Sequence, residues 1–169
     1  MLVCGPFADS RHSGTNEWLT PKWLIETLGP FDVDPCAPPP ERRPWSTAST
    51  HFDESHDGLA RPWSGAVWCN PPSGTHTGAW LKRCAEHGNA VALVFSRTDA
   101  SWFHDHVATK ATALLFWRHR IRFCRSITGE PAGTPAAPSL LIAYGGEAAR
   151  RIQRVADRGT LVVLPMGTQ

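Results

Sequence analysis

No stretch of this 169-residue chain stays apolar for the length a bilayer crossing requires, so no membrane span is expected. The first residues lack a basic segment followed by an apolar one, which argues against a secretory signal. There is no C-x-x-C pair. The five cysteines (Cys4, Cys36, Cys69, Cys84, Cys124) are odd in number, and Cys36, Cys69 and Cys84 lie in or beside apolar elements. That pattern suits reduced thiols in a cytosolic protein rather than a disulfide framework. A strong charge of one sign is also missing. The net charge of +2 is too small to indicate nucleic acid unless the positive groups cluster. No G-x-G follows the first short strand, so the usual dinucleotide fingerprint is absent. The stretch His51–Leu59 holds two His and three acids but matches no metal-ligand spacing, and no metal is expected. What is there is one domain's worth of chain with ordinary apolar content, its long connections marked by fifteen prolines and fourteen glycines.

The first residues, 1–14, mix Gly, Pro, Ser and Asp without periodicity and read as a loose arm, leaving residues 15–169 as a single domain. Thr20 is a good N-cap and Pro21 a good first helical residue, so a helix is expected over Pro21–Leu28, closed by Gly29-Pro30. Trp18 just before it suits either packing or contact with a ligand ring; Trp23 suits core packing. Phe31–Asp34 alternates as a short strand and ends in Asp34-Pro35-Cys36-Ala37. Asp34 there could accept hydrogen bonds from a ligand ammonium group or simply cap a turn. Residues 38–50 read as a long, mobile loop, and Asp57-Gly58 as a tight turn presenting a carboxylate. Further strands are expected at Ala66–Cys69, Ala90–Phe95, Ala113–Trp117, Ser139–Tyr144 and Leu161–Leu164. Helices are expected at Thr77–His87, with Gly88 closing it, at Ala100–Ala108 and at Glu147–Asp157. Alternating strands and helices imply an α/β fold, with a mostly parallel central sheet and helices on both faces. Beyond Trp117 the alternation continues to Phe123, which in extended form puts Arg118, Arg120 and Arg122 on one face. Such a row serves as a phosphate-binding track or as a charged, protected sheet edge.

The most informative stretch is Val67-Trp68-Cys69-Asn70-Pro71-Pro72-Ser73. Two prolines in succession end a strand and stiffen the turn, so Asn70 stands at a strand's carboxyl end, where α/β sheets bind ligands. The Asn70 side-chain oxygen and the Pro71 carbonyl are then two acceptors on a rigid backbone. They suit a planar exocyclic amine, whose two N–H groups they would hold while the nitrogen is made pyramidal for attack on a methyl donor. A plain Asn-Pro turn is the alternative.

Taken together, Asn16-Glu17-Trp18-x-Thr20-Pro21, Phe31-Asp32-Val33-Asp34-Pro35-Cys36-Ala37, Asp57-Gly58-Leu59, Val67-Trp68-Cys69-Asn70-Pro71-Pro72, Arg97-Thr98-Asp99-x-x-Trp102-Phe103 and Arg120-Ile121-x-Phe123 resemble, in that order, the small Dam-like DNA N6-adenine methyltransferases of bacteriophages and prophages. The resemblance spans about residues 16–145. It implies a Rossmann-like methyltransferase fold, S-adenosyl-L-methionine as donor, adenine in DNA as acceptor, and a monomer or homodimer in a bacterial host's cytoplasm. By matched position, Trp18, Thr20, Asp34, Pro35, Cys36, Ala37 and Asp57 would contact the donor, and Asn70, Pro71 and Pro72 would form the catalytic loop. Arg118, Arg120, Arg122 and Ser73 would face DNA. Two positions depart from the family pattern. Ser73 stands where an aromatic ring usually stacks on the flipped base, so Trp45 or Trp80 would have to supply that ring. His119 stands where a Gly is common. There is no room for a large target-recognition domain, which leaves sequence choice to residues 38–50 and 125–138 or to a second subunit. RNA adenine, cytosine N4 and protein glutamine are alternative acceptors, and a catalytically silent nucleic-acid-binding domain is the reading from another class.

Overall fold

Residues 18–165 are described in a computed structural model; the expected arm 1–14 and the motif residues Asn16 and Glu17 lie outside them. In chain order the elements are β1 (Trp18–Leu19), α1 (Lys22–Leu28), β2 (Val33–Asp34), β3 (Thr50–His51), β4 (Val67–Cys69), α2 (Thr77–His87), β5 (Ala90–Phe95), α3 (Ser101–Phe103), β6 (Ala113–Trp117), β7 (Cys124–Arg125), β8 (Ser139–Tyr144), α4 (Gly146–Gln153) and β9 (Gly159–Val163). Seven strands form one sheet in the order β3-β2-β4-β5-β8-β6-β9, and β1 pairs with β7 in a separate two-stranded ladder.

The sheet is mixed. The ladders β2–β3, β2–β4 and β4–β5 are parallel, and β5–β8, β6–β8 and β6–β9 antiparallel. The expected mostly parallel sheet therefore holds for strand direction, since β6 runs with β5, but not for the pairing. The physical reason is the connection from β6 to β8. It contains no helix to carry the chain across the sheet, so β8 returns antiparallel and inserts between β5 and β6.

Side chains of the central strands are buried on alternate faces of the sheet. Ala90, Ala92 and Val94 of β5 and Leu140, Ile142 and Tyr144 of β8 join α2 residues Trp80, Leu81 and Cys84 in one apolar cluster. Val91 and Leu93 of β5 and Leu141 and Ala143 of β8 pack with α1 and α4 in the other, including Leu24, Leu28, Ala148 and Ile152. Helices thus cover both faces, as the continuous apolar runs require. The helix α2 ends where Gly88 takes a left-handed φ of 76° and its N–H bonds the Cys84 carbonyl.

Several local expectations change. The helix expected over Ala100–Ala108 is the short α3 continued by a π-helical turn, His104–Ala108. The helix expected over Glu147–Asp157 stops at Gln153 and resumes as a 3-10 turn at Ala156–Arg158. Trp23 is 43% exposed rather than in the core. Thr20 does not cap α1, because Pro21 holds the cap position and no side chain bonds the free amides there. Among the described residues no helix is long and apolar enough to cross a membrane.

Candidate active site

Pairing of β2 with β4, Val33 opposite Val67, brings the carboxyl ends of two parallel strands to one rim. Asp34 is the last residue of β2, and Asn70 is the first beyond β4, where the prolines stop the ladder. Both stand in the wall of one narrow cavity, together with Thr20, Cys36, Trp45 and Thr47. It is a tight space of about 20 Å³, or about 320 Å³ when the open solvent at its mouth is counted.

Asn70 is 6% exposed. Its Nδ2 donates to Thr20 Oγ1 at 3.4 Å, which is the role Thr20 plays in place of a helix cap. The buried Oδ1 has no partner among the described residues. The Pro71 carbonyl likewise receives no hydrogen bond from them, whereas the Pro72 carbonyl accepts one from Thr77 Oγ1 at 3.1 Å. An unsatisfied buried acceptor costs about 1–3 kcal/mol, and a donor entering the cavity would relieve that cost at Asn70 Oδ1.

Asp34 is 3% exposed. Burial drives its carboxyl well above the usual carboxylate range, and the nearby Cys36 thiol adds to this; hydrogen bonds from Thr47 and the Cys36 amide oppose it only in part. Thr47 Oγ1 donates to Oδ2, and the Cys36 N–H donates to Oδ1 at 3.2 Å. A cation entering the cavity would supply what this carboxylate lacks.

Of the other residues expected at the donor, Cys36 lines the cavity, while Pro35 and Ala37 are buried behind it and Ala37 N–H bonds the Phe52 carbonyl. Trp18 packs on Phe123, ring centroids 6.1 Å apart, next to the cavity-lining Leu19 but outside the wall. Asp57 is exposed and also outside the wall. Its neighbour Gly58 lies so close to the β2 turn that a Cβ there would sit 1.8 Å from the Pro35 carbonyl oxygen. Ser73 is exposed beyond the loop. Of the two candidate stacking rings, Trp80 is excluded, since it is 4% exposed and stacked on Trp63 in the core. Trp45 is in the cavity wall.

The arginine row is not a strand face. The strand β6 ends at Trp117, and His119 takes a left-handed φ of 64°, which breaks the extended chain. Arg118, Arg120 and Arg122 instead converge on a separate open cleft of about 480 Å³, lined also by Trp23, Trp117 and Arg158.

Sequence reading named Trp45 as a candidate stacking ring but missed Thr47 and Arg43 as cavity residues, and treated 38–50 as a mobile loop. Part of that segment is held by His51, whose Nε2 accepts the Thr47 and Ala48 amides, both at 3.2 Å. The sequence carried only a faint signal for this, a lone His following a Ser/Thr run.

A buried carboxyl and an open amide acceptor on one rim of an α/β sheet stand where such sheets, as a class, take their ligands. The chain belongs to the Dam family: the family described as DNA N-6-adenine-methyltransferase matches residues 8–161. No individually curated protein and no solved structure matched the chain.

Proposed function

We propose that this protein is a DNA N6-adenine methyltransferase using S-adenosyl-L-methionine as donor. The observation that carries the reading is the orphaned Asn70 Oδ1 in the same cavity as the buried carboxyl of Asp34. One is an acceptor open to an N–H, the other an acidic group that a cation would favour in its ionised form, and a positively charged methyl donor beside an exocyclic amine meets both. The donor, when bound, supplies an electrophilic methyl group on a sulfonium centre.

The chain's own residues do the rest. Asp34, with the Cys36 turn and Thr20, would hold the donor's cationic part. Asn70 Oδ1 and the Pro71 carbonyl would accept the two N–H groups of adenine N6, which withdraws the nitrogen lone pair from the ring and aims it. Thr20 holds the amide in the orientation that keeps Oδ1 free, and the two prolines keep the acceptors from relaxing. Trp45 would take the stacking role that Ser73 cannot. The parallel β4–α2–β5 unit, with β2 beside β4, supports a Rossmann-like methyltransferase fold in a single domain. Arg118, Arg120 and Arg122 would contact DNA phosphates, Ser73 would face the DNA beside the loop, and the chain would act as a monomer or homodimer in the cytoplasm.

The test is transfer of labelled methyl groups from S-adenosylmethionine to unmethylated DNA, RNA and protein, followed by nucleoside digestion. N6-methyl-2′-deoxyadenosine from the DNA fraction, reduced at least about 100-fold by Asn70→Ala, is the expected result. Label in N4-methylcytosine, RNA or glutamine would move the acceptor. No label in any fraction would defeat the enzymatic reading.

A further inference from the structure

We infer that the arginine-lined cleft beside α1 binds an unpaired nucleotide of single-stranded DNA, stacking its base on Trp23 and holding its phosphates with Arg118, Arg120 and Arg122. The inference rests on the proposed action on DNA and adds a second nucleic-acid site to it.

Trp23 and Trp117 meet at 6.2 Å between ring centroids, tilted by 46°, and form the apolar floor of the cleft. The 43% exposure of Trp23 is unusual for an indole, since a ring that only served the core would be covered. The Arg158 guanidinium lies over Trp23 at 5.3 Å from the ring centre, the place an aromatic base would occupy. Among the described residues Arg118, Arg120 and Arg122 make no ion pair, while the nearby Asp157 is already engaged by Arg158 at 3.3 Å. Three unneutralised guanidinium groups around an exposed ring are the two halves of a nucleotide site, charge for the backbone and a π-face for the base. A base within a duplex already has both faces stacked, so the exposed indole selects an unpaired one. The volume of about 480 Å³ falls within the range of about 300–1,000 Å³ common to small-ligand pockets.

The cleft shares no wall residue with the candidate active site but is tied to it through neighbouring chain segments. Trp23 lies one helical turn from Thr20, which holds Asn70. Leu19, in the cavity wall, pairs with Cys124, just beyond Arg122. The strand β6 runs in the same direction as β4, so Arg118 and Asn70 leave the sheet at the same rim. A strand whose adenine enters the cavity therefore has a place on the same face for a neighbouring displaced nucleotide.

The experiment titrates dye-labelled oligothymidylate, which contains no adenine and cannot occupy the methylation site, without donor. Saturable binding is expected, with affinity lowered about tenfold by Trp23→Ala, largely restored by Trp23→Phe, lowered by Arg120→Glu and unchanged by Asn70→Ala. Binding that Trp23→Ala leaves untouched, or no oligothymidylate binding by the wild type, would overturn the inference. Loss of methyl transfer in Asn70→Ala reports on the proposed function alone, so the two readings fail separately. Thermal melts of each variant exclude misfolding as the cause, and the exposed Arg120 provides a second variant should Trp23→Ala unfold.

Discussion

Asp34 stores an electrostatic cost at the scale of one side chain. Burial, and then the Cys36 thiol, raise its carboxyl above the usual range, so the folded state holds the proton more tightly than the unfolded chain. Stability consequently falls as pH rises from the ordinary carboxylate range through the raised value, and the cost persists above it. Asp34→Asn removes the charge and keeps the shape. It is expected to raise the melting temperature by several degrees at pH 7, with the gain shrinking as pH approaches about 4. Under the proposed function, the same substitution should weaken S-adenosylmethionine binding at least about tenfold by calorimetry, because the acidic group that would meet the donor's cationic part is gone. A lower melting temperature at neutral pH would contradict the cost assigned to burial. Asn70 is the uncharged counterpart, a buried residue whose open acceptor is unfavourable in isolation and, under the proposed function, useful with a ligand.

Among the elements, the segment between β2 and β3 decides how the cavity closes. His51 on β3 holds it through Nε2, which must be unprotonated to accept the Thr47 and Ala48 amides. Burial lowers the His51 pKa from 6.5 to about 4, and Arg43 adds to the shift. Unfolded or released, His51 takes up its proton first, so its stabilisation is complete above about pH 6.5 and lost as pH falls through about 4. Amide hydrogen exchange at Thr47 and Ala48, corrected for the intrinsic rate, should therefore accelerate as pH drops from 6.5 toward 4. His51→Ala should produce the same acceleration at pH 7. Unchanged protection in either case would mean that the segment is held by other contacts. Because Thr47 also bonds Asp34, release of this segment also removes a hydrogen bond from the carboxylate.

For the whole molecule, charge placement matters more than total charge. A net charge of +2 hides the convergence on one cleft of three guanidinium groups that make no ion pair among the described residues. If they meet phosphates, the slope of log K for DNA against log salt should lose about 3 units of magnitude in the Arg118→Ala, Arg120→Ala, Arg122→Ala triple variant, at roughly 0.9 per phosphate. An unchanged slope would assign these residues to plain surface charge.

Local order alone determined much of the framework. The apolar runs Ala90–Phe95, Ala113–Trp117 and Ser139–Tyr144 are strands over those spans, and Thr77–His87 is the helix that its closing glycine implies. Asn70 was legible at a strand's exit because two prolines cannot continue a ladder whatever surrounds them. Tertiary structure alone decided what each side chain meets. Thr20 has the chemistry of a cap but turns to Asn70. Trp80 and Trp45 are equally plausible stacking rings in sequence, and only packing buries the first and leaves the second at the cavity. The two-residue strands β3 and β7 have too few residues for a period and exist through their partners across space. The arginines alternate as if on a strand, yet the left-handed turn at His119 gathers them around a cleft. Periodicity and chain-breaking act within a few residues and can be read locally. A shared cavity wall depends on register and crossing between segments far apart in the chain, which no short window contains.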